Sequence, residues 1–346
     1  MDCLKDKVKG CLLGGAIGDA LGYPVEFVYS YKSIEREYGK GGIQKYDLRY
    51  PWLNHIGKKA LVSDDTQMTL YTLNALLESD KKRVSLMEET IRQYLGWFYR
   101  QVGNPVPEHL KSELTEIEEL NQRRAPGNTC ISALNAISRG EKIFNNSKGC
   151  GGVMRVAPIG IWGAIKKWNL AETAQTAANV GEITHLHPLS NYSSACLAVI
   201  IQQCLAESPK SILDFRTIVV KSLDVLDEVF GSDAPELNNF SLLIEKAIDK
   251  VSSPGGDWEV IENELGEGWV AEETLAIALF CVARHIDDFR KAIVSAVNHG
   301  GDSDSTGAVA GNIIGSILGM KGIPEEYLSE LQLTSLMSDM AERALE

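Results

Sequence analysis

Two pairs of aspartates, each at the start of a helix-like segment, are the residues of this sequence best suited to chemistry. Asp302 and Asp304 lie among glycines and serines before a small apolar run, and Asp64 and Asp65 follow Ser63 at the start of another. Carboxylate and hydroxyl oxygens are the ligands that hard divalent cations prefer. Aspartate and serine are also common helix N-caps, so capping is the alternative interpretation of either pair alone.

The spacing of the later pair restricts how it can act. Positions i and i+2 of a helix do not share a face. Asp302 and Asp304 can therefore converge only if Asp302 lies in the loop and Asp304 lies in the first helical turn. If all four aspartates gather in one place, they cannot all stay ionised near neutral pH without cations between them. The two pairs together therefore indicate a metal site.

Glycines at intervals of four mark the two elements that must position these residues. Each helical glycine costs about 1 kcal/mol relative to alanine. We therefore predict that both helices are central and closely approached, packed either on each other or on a shared neighbour, and that this packing holds the acidic segments at one end of the core. Segments that only look periodic are the alternative. The helices are predicted over residues 8–22, with Gly10, Gly14, Gly18 and Gly22, and over residues 305–319, with Gly307, Gly311, Gly315 and Gly319.

A glycine-rich loop and two histidines are weaker signals. Residues 145–155 form a loop whose backbone N–H groups could face a phosphate, although it matches neither the Walker A nor the GxGxxG motif. His185 and His187 precede Pro188 and are either metal ligands or hydrogen-bonding loop residues. The second interpretation is favoured because no cysteine or acidic residue lies at zinc-site spacing.

Composition and charge restrict the class of protein. The 346 residues are 44% hydrophobic and 23% charged, as is ordinary for a globular protein, and the net charge of −13 argues against nucleic-acid binding. Seven cysteines without CxxC spacing indicate reduced thiols in a cytoplasm. The apolar run 308–320 contains Asn312 and is too short to span a membrane. No strand-like alternation or internal repeat is visible, so we predict an all-α single domain over residues 1–346.

Four segments together resemble the ADP-ribosylglycohydrolase family, which includes the dinitrogenase-reductase-activating glycohydrolases. In chain order they are residues 14–22 (GGAIGDALG), 63–66 (SDDT), 147–155 (SKGCGGVMR) and 301–305 (GDSDS). The resemblance covers about residues 8–318. It implies a compact orthogonal bundle of α-helices with two Mg²⁺ or Mn²⁺ ions in a cleft.

The resemblance also implies roles for individual residues, assigned by motif position. The implied metal ligands are Ser63, Asp64, Asp65, Asp302, Asp304 and Ser305. Glu26, Asp65 and Asp302 are the implied catalytic residues, with Glu26 near the reacting ribose. The implied substrate-binding residues are Asn128, Ser147, Lys148, Gly149, Cys150, Gly152, Val153, Met154 and His185. Three positions depart from the family pattern: Ser63 stands in place of threonine, Cys150 in place of asparagine, and Lys148 in place of an aromatic residue.

The function implied is a metal-dependent hydrolase that removes ADP-ribose from a modified protein and releases ADP-ribose as product. Arginine is the favoured acceptor because the glycine loop resembles that of bacterial family members. Hydrolysis of O-linked ADP-ribose, on serine or a small molecule, is one alternative. A non-catalytic relative that only binds ADP-ribose is the other. We expect a cytoplasmic monomer that binds neither nucleic acid nor membrane.

Overall fold

The computed structural model describes residues 2–50, 55–56, 58–231 and 234–346. Helices dominate these ranges, which confirms the all-α prediction. The helices are α1 (Asp2–Gly22), α2 (Tyr31–Tyr38), α3 (Asp64–Lys82), α4 (Leu86–Gln101), α5 (Asn128–Ser138), α6 (Ala157–Lys166), α7 (Leu170–Glu182), α8 (Pro188–Glu207), α9 (Ile212–Phe230), α10 (Pro235–Asp249), α11 (Asp257–Val260), α12 (Ala271–Arg284), α13 (Phe289–Val297), α14 (Ser303–Leu318), α15 (Glu325–Glu330) and α16 (Thr334–Ala344).

Short elements connect these helices. A two-residue antiparallel pair, β1 (Arg49–Tyr50) and β2 (His55–Ile56), aligns Arg49 with Ile56 and Tyr50 with His55. A π-helical turn, Ile261–Leu265, continues α11. The 3₁₀ turns are Tyr23–Val25, Glu108–Leu110, Glu113–Glu116, Glu118–Asn121, Cys150–Arg155, Lys250–Ser252 and Met320–Gly322.

Helices α1 and α14 pack directly against each other through their glycines, which confirms the close approach that the sequence predicts. A Cβ atom built on Gly14 would lie against the carbonyl oxygen of Gly311, and one on Gly311 against the carbonyl oxygen of Gly14. The same reciprocal contact joins Gly18 with Gly307. As the residue number of the glycine in α1 rises, the residue number of the glycine that it contacts in α14 falls. The two helices therefore run antiparallel.

This helix pair forms the centre of the molecule. Every residue of α14 from Ser303 to Ile317 is buried, and apolar side chains from Val8 to Ala344 form one connected core around the pair. The helix predicted over residues 305–319 ends one residue early, because Gly319 has a φ of +68°. That conformation is unfavourable for other residues and ends the helix.

The antiparallel register decides what lies at one end of the pair. The last residue of α1, Gly22, contacts Ser303 at the first turn of α14. The 3₁₀ turn Tyr23–Val25 then leads into Glu26. Glu26 and Asp302, which are far apart in sequence, are therefore brought to the same end of the core.

No helix in the described ranges is both long enough and apolar enough to cross a membrane.

We expect Gly311→Ala to destabilise the protein. Helix propensity alone favours alanine by about 1 kcal/mol. A Cβ at this position would nevertheless lie closer than 3.0 Å to the carbonyl group of Gly14, and backbone atoms cannot move aside as a flexible side chain can. Overpacking of this kind costs about 1–3 kcal/mol. Thermal and urea unfolding of the variant measure the net effect.

Gly96→Ala in α4 is the matched control. There the nearest neighbours of a Cβ would be the carbonyl oxygen of Leu110 at 3.0 Å and the Thr115 methyl group at 3.1 Å. The contact is milder, so we expect a smaller loss. An increase in the melting temperature of Gly311→Ala would contradict the close packing of α1 on α14.

Candidate active site

The earlier aspartate pair opens α3. Ser63 is the N-cap: its Oγ accepts a hydrogen bond from the backbone N of Asp65 at 3.1 Å and donates to Oδ2 of Asp65 at 3.3 Å. Oδ2 of Asp64 accepts from the backbone N of Gly127 at 3.3 Å. Both aspartates are buried. Ser63 therefore caps the helix, as the alternative interpretation expected, and also orients Asp65.

Asp19 connects the central helix to this pair. It is fully buried in α1, and its carboxylate accepts from the backbone N of Ser63 at 2.9 Å and of Thr66 at 3.1 Å. The Thr66 hydroxyl donates to the same carboxylate. Burial raises the pKa of Asp19 to about 6, against the opposing effect of these hydrogen bonds. Since these N–H groups begin α3 and lack helical partners, Asp19 fixes the start of α3 relative to α1.

The later pair is divided between loop and helix, as its spacing predicts. Asp302 is the N-cap of α14 and Asp304 lies in the first turn. The backbone N of Ser305 lies 2.9 Å from Oδ1 of Asp304 and 3.4 Å from Oδ1 of Asp302. The preceding residue, Gly301, has a φ of +127°, and a Cβ there would overlap the backbone of Glu267. This glycine lets the chain turn so that Asp302 and Asp304 face the same way.

Glu26 joins the later pair to form a tight acidic cluster. One carboxylate oxygen each from Glu26, Asp302 and Asp304 lie within 4.8 Å of one another. Oε2 of Glu26 and Oδ1 of Asp65 are buried and have no hydrogen-bond partner among the residues that the structure describes. Asp64 and Asp65 stand outside the tight cluster but face the same cavity. The buried oxygens therefore lack a positive or hydrogen-bonding partner, which is costly unless a ligand supplies one.

These five carboxylates line a single cavity of about 420 Å³. It gathers residues from several of the sequence motifs. Of the residues assigned from sequence, those that line it are Glu26, Asp64, Asp65, Asn128, Gly149, Cys150, Met154, His185, Asp302, Asp304 and Ser305.

The other assigned residues lie behind or beside this lining. Ser63 is fully buried under Asp65, Gly152 and Val153 are buried in the 3₁₀ turn, and Ser147 hydrogen-bonds Thr129. Lys148 forms an ion pair with Glu272.

The glycine loop uses part of its own hydrogen-bonding capacity. The backbone N of Gly149 donates to Oγ of Ser147 at 3.3 Å, and that of Cys150 donates to the carbonyl of Trp269 at 3.3 Å. These two amides are therefore engaged within the protein, which reduces the set that can face a phosphate. A Cβ on Gly151 would overlap the His185 ring, so glycine is required for the loop to lie against it.

His185 is held in the cavity as a neutral ring. Its Nδ1 lies 2.8 Å from the Thr184 hydroxyl, which in turn accepts from the fully buried Arg155 at 2.7 Å. Burial and the nearby Arg155 guanidinium lower the pKa of His185 to about 3. His187 instead caps α8, accepting from the backbone N of Leu189 at 3.1 Å. The hydrogen-bonding interpretation therefore holds for His187.

The electrostatics of the cavity fit a bound cation. Burial raises the pKa of Glu26, Asp64, Asp65 and Asp304 well above the usual carboxyl range, and neighbouring carboxylates raise it further. Among the lining residues that the structure describes, Arg123 is the one with a permanent positive charge. Unpaired, buried oxygen donors of this kind match the preference of hard divalent cations. The chain thus carries an acidic cluster that could bind metal.

Several residues that line or support the cavity carry no role in the prediction from sequence. Asp19 supports the cavity from behind its lining, and its place in the motif at residues 14–22, one turn before the end of α1, is visible in the sequence. Phe27 directly follows Glu26, which was also visible in the sequence. Arg123 and Trp269 lie in loops far from every motif, and the sequence offers no signal for them. Their place in the cavity depends on how the loops fold over it.

Comparisons with known proteins agree with this geometry. The family model described as ADP-ribosylglycohydrolase matches residues 2–346. ADP-ribosylarginine hydrolase Tri1 from Serratia proteamaculans is 25% identical over 98% of this chain and 78% of its own length. ADP-ribosyl-[dinitrogen reductase] glycohydrolase from Rhodospirillum rubrum is 24% identical over 95% and 91%. A solved structure titled "ADP-ribosylglycohydrolase-related protein complex" has a TM-score of 0.70 at 23% identity, with 100% of this chain and 99% of the other covered.

The helical fold is that of this solved structure, and the family match supports a glycohydrolase enzyme. The chain belongs to the ADP-ribosylglycohydrolase family. This confirms the family resemblance and the type of helical bundle that it implied. Family membership supports removal of ADP-ribose from modified substrates.

The stability of the metal-free protein should fall as the pH rises above about 7.5, where unfolded histidines, with a pKa of about 6.5, are largely neutral. Glu26, Asp64, Asp65 and Asp304 have raised pKa values in the folded state, so the native protein binds more protons than the unfolded chain. Their contribution to stability is therefore lost as the pH rises through the folded pKa. Melting temperatures measured in EDTA test this.

Asp65→Asn provides the comparison, since it removes one of these titrating groups while keeping a similar shape. The decline with pH should be shallower in this variant than in the wild type. Added Mg²⁺ or Mn²⁺ should also reduce the wild-type decline, because a cation that binds only the native state stabilises it. A decline of equal steepness in all three samples would contradict this electrostatic account.

Proposed function

We propose that this protein hydrolyses the N-glycosidic bond between ADP-ribose and an arginine side chain of a modified protein, using two Mg²⁺ or Mn²⁺ ions. The observation that carries the proposal is the convergence of five buried carboxylates with a glycine loop and a neutral histidine in one cavity. Arginine is favoured as the acceptor because the Serratia relative is named an ADP-ribosylarginine hydrolase.

The oxygen-bearing side chains of the cavity suit Mg²⁺ or Mn²⁺. Asp64, Asp65, Asp302 and Asp304, with the Ser305 hydroxyl, would hold the cations, and Glu26 lies close enough to join them. Ser63 would support the site indirectly, because its hydrogen bonds to Asp65 orient that ligand. When bound, the cations supply positive charge beside the ribose hydroxyls and the attacking water. A non-catalytic relative would have no need of so many mutually repelling carboxylates.

The remaining lining residues would hold the ADP part of the substrate. Arg123 supplies the permanent positive charge that an anionic diphosphate needs. The Asn128 amide and the neutral His185 ring add hydrogen-bonding groups at the same cavity wall. An acidic protein can in this way bind an anion through local donors.

Hydrolysis would proceed by attack of a water oxygen on C1″ of the ribose. The C1″–N bond breaks, the electron pair stays on the guanidine nitrogen, and that nitrogen gains a proton while the water loses one. Within the described ranges Oε2 of Glu26 has no hydrogen-bond partner, so this oxygen would be available to orient the water and accept its proton. The buried position of Glu26 keeps competing bulk water away from this contact.

Matched peptides carrying arginine-, serine- or cysteine-linked ADP-ribose test the function. We expect release of ADP-ribose to be fastest from the arginine-linked peptide, to stop in EDTA and to return with Mg²⁺ or Mn²⁺. Faster release from the serine-linked peptide would favour the O-linked alternative. Tight binding of ADP-ribose with no release from any peptide would favour the binding-protein alternative.

Two variants separate metal binding from catalysis. Asp302→Ala should lose cation affinity measured by calorimetry, since it removes a ligand that no neighbour replaces. Glu26→Gln keeps an oxygen donor and should still bind cation, but kcat should fall by roughly 10²–10⁴ because the proton acceptor is lost. Unchanged kcat in Glu26→Gln would remove Glu26 from the mechanism.

A further inference from the structure

Two aromatic side chains stand together at the edge of the acidic cavity. Phe27 and Trp269 have stacked rings, with centroids 6.0 Å apart and planes inclined by 21°. Both line the cavity, yet they are 48% and 39% exposed, unlike most large apolar side chains of this protein. An aromatic pair exposed in this way costs hydrophobic free energy, which a ligand that covers the rings would recover.

The backbone places this pair beside the reacting end of the cavity. Phe27 directly follows Glu26, whose carboxylate belongs to the tight acidic cluster. Trp269 follows Gly268, whose Cα faces Asp302: a Cβ there would lie 3.4 Å from the Asp302 carbonyl oxygen. The two rings therefore border the cavity next to the acidic cluster, where a group attached to the reacting ribose could contact them.

The chemistry of that group depends on the linkage that is broken. The guanidinium group of an arginine-linked substrate is a planar cation, which stacks on aromatic faces and is attracted by their negative quadrupole. The oxygen of a serine-linked substrate carries no charge and gains no such attraction. The neighbouring carboxylates add to the preference for a cation.

We infer that Phe27 and Trp269 bind the guanidinium of the acceptor arginine and so determine the specificity of the site for arginine-linked over serine-linked ADP-ribose. This inference rests on the proposed function. It assigns the acceptor side of the cavity to an aromatic pair and the ribose side to the carboxylates. Phe27 and Trp269 contact the leaving group, whereas Glu26 orients the attacking water.

The test compares Phe27→Leu and Trp269→Leu with the wild type on peptides of one sequence that carry ADP-ribose on either arginine or serine. Leucine keeps an apolar side chain but removes the ring. The ratio of kcat/KM for the arginine-linked peptide to that for the serine-linked peptide should fall roughly threefold to thirtyfold, the size of a cation–π contribution. Phe27→Tyr and Trp269→Phe keep a ring and should retain most of the ratio.

Tyr29→Leu is the matched control, because Tyr29 is a nearby aromatic residue that is 96% exposed and does not line the cavity. Its ratio should equal that of the wild type. Calorimetry in EDTA gives a second readout that needs no turnover: the leucine variants should bind the arginine-linked peptide more weakly, with little change for free ADP-ribose.

The outcomes separate this inference from the proposed function. An unchanged ratio in both leucine variants overturns the inference while hydrolysis by the wild type still supports the function. Equal weakening of ADP-ribose and both peptides also overturns it, since the rings would then contact the nucleotide. If the wild type hydrolyses no peptide, the proposed function fails, and the binding preference in EDTA still decides the role of the rings.

Discussion

The contact between α1 and α14 is the constraint on which the rest of the structure depends. Glycines on both helices let carbonyl groups of one backbone lie where side chains of the other would be. The loss of helix propensity, about 1 kcal/mol per glycine, is offset because α14 is buried from Ser303 to Ile317 and α1 is buried from Gly10 to Gly22. Its antiparallel register brings Glu26, at the end of α1, to Asp302, at the start of α14. Asp19 extends the same frame to α3.

The cavity at the end of this pair concentrates charges that oppose one another. Burial and mutual repulsion both disfavour ionisation of its carboxyls. A flexible site would relieve this repulsion by separating the side chains. The helix starts and the Asp19 hydrogen bonds prevent that separation, because each carboxylate is attached to a fixed turn. A rigid scaffold and a ligand of opposite charge are therefore complementary requirements of one site.

The walls of the cavity differ in chemistry, and this difference gives the proposed substrate an orientation. Carboxylates converge where the ribose would react, whereas Arg123, Asn128 and the neutral His185 supply groups suited to a diphosphate. His185 stays neutral because burial and Arg155 oppose its protonation. The aromatic pair Phe27 and Trp269 would form a separate surface for the acceptor side chain. In the proposed complex, these walls would bind an anionic nucleotide and a cationic side chain in neighbouring places.

The sequence by itself determined the helical class, the close packing of the two glycine-bearing helices and the division of Asp302 and Asp304 between loop and helix, because these follow from local spacing and from the cost of glycine. That the two helices pack directly on each other was decided by the tertiary structure. Motif resemblance named most of the residues that line the cavity. Only the tertiary structure decided that Lys148 pairs with Glu272 and that Ser63 lies behind Asp65. It also decided that Glu26 joins the tight cluster and that Arg123 and Trp269 reach the site. These facts depend on contacts between segments distant in the chain, and no local pattern encodes such contacts.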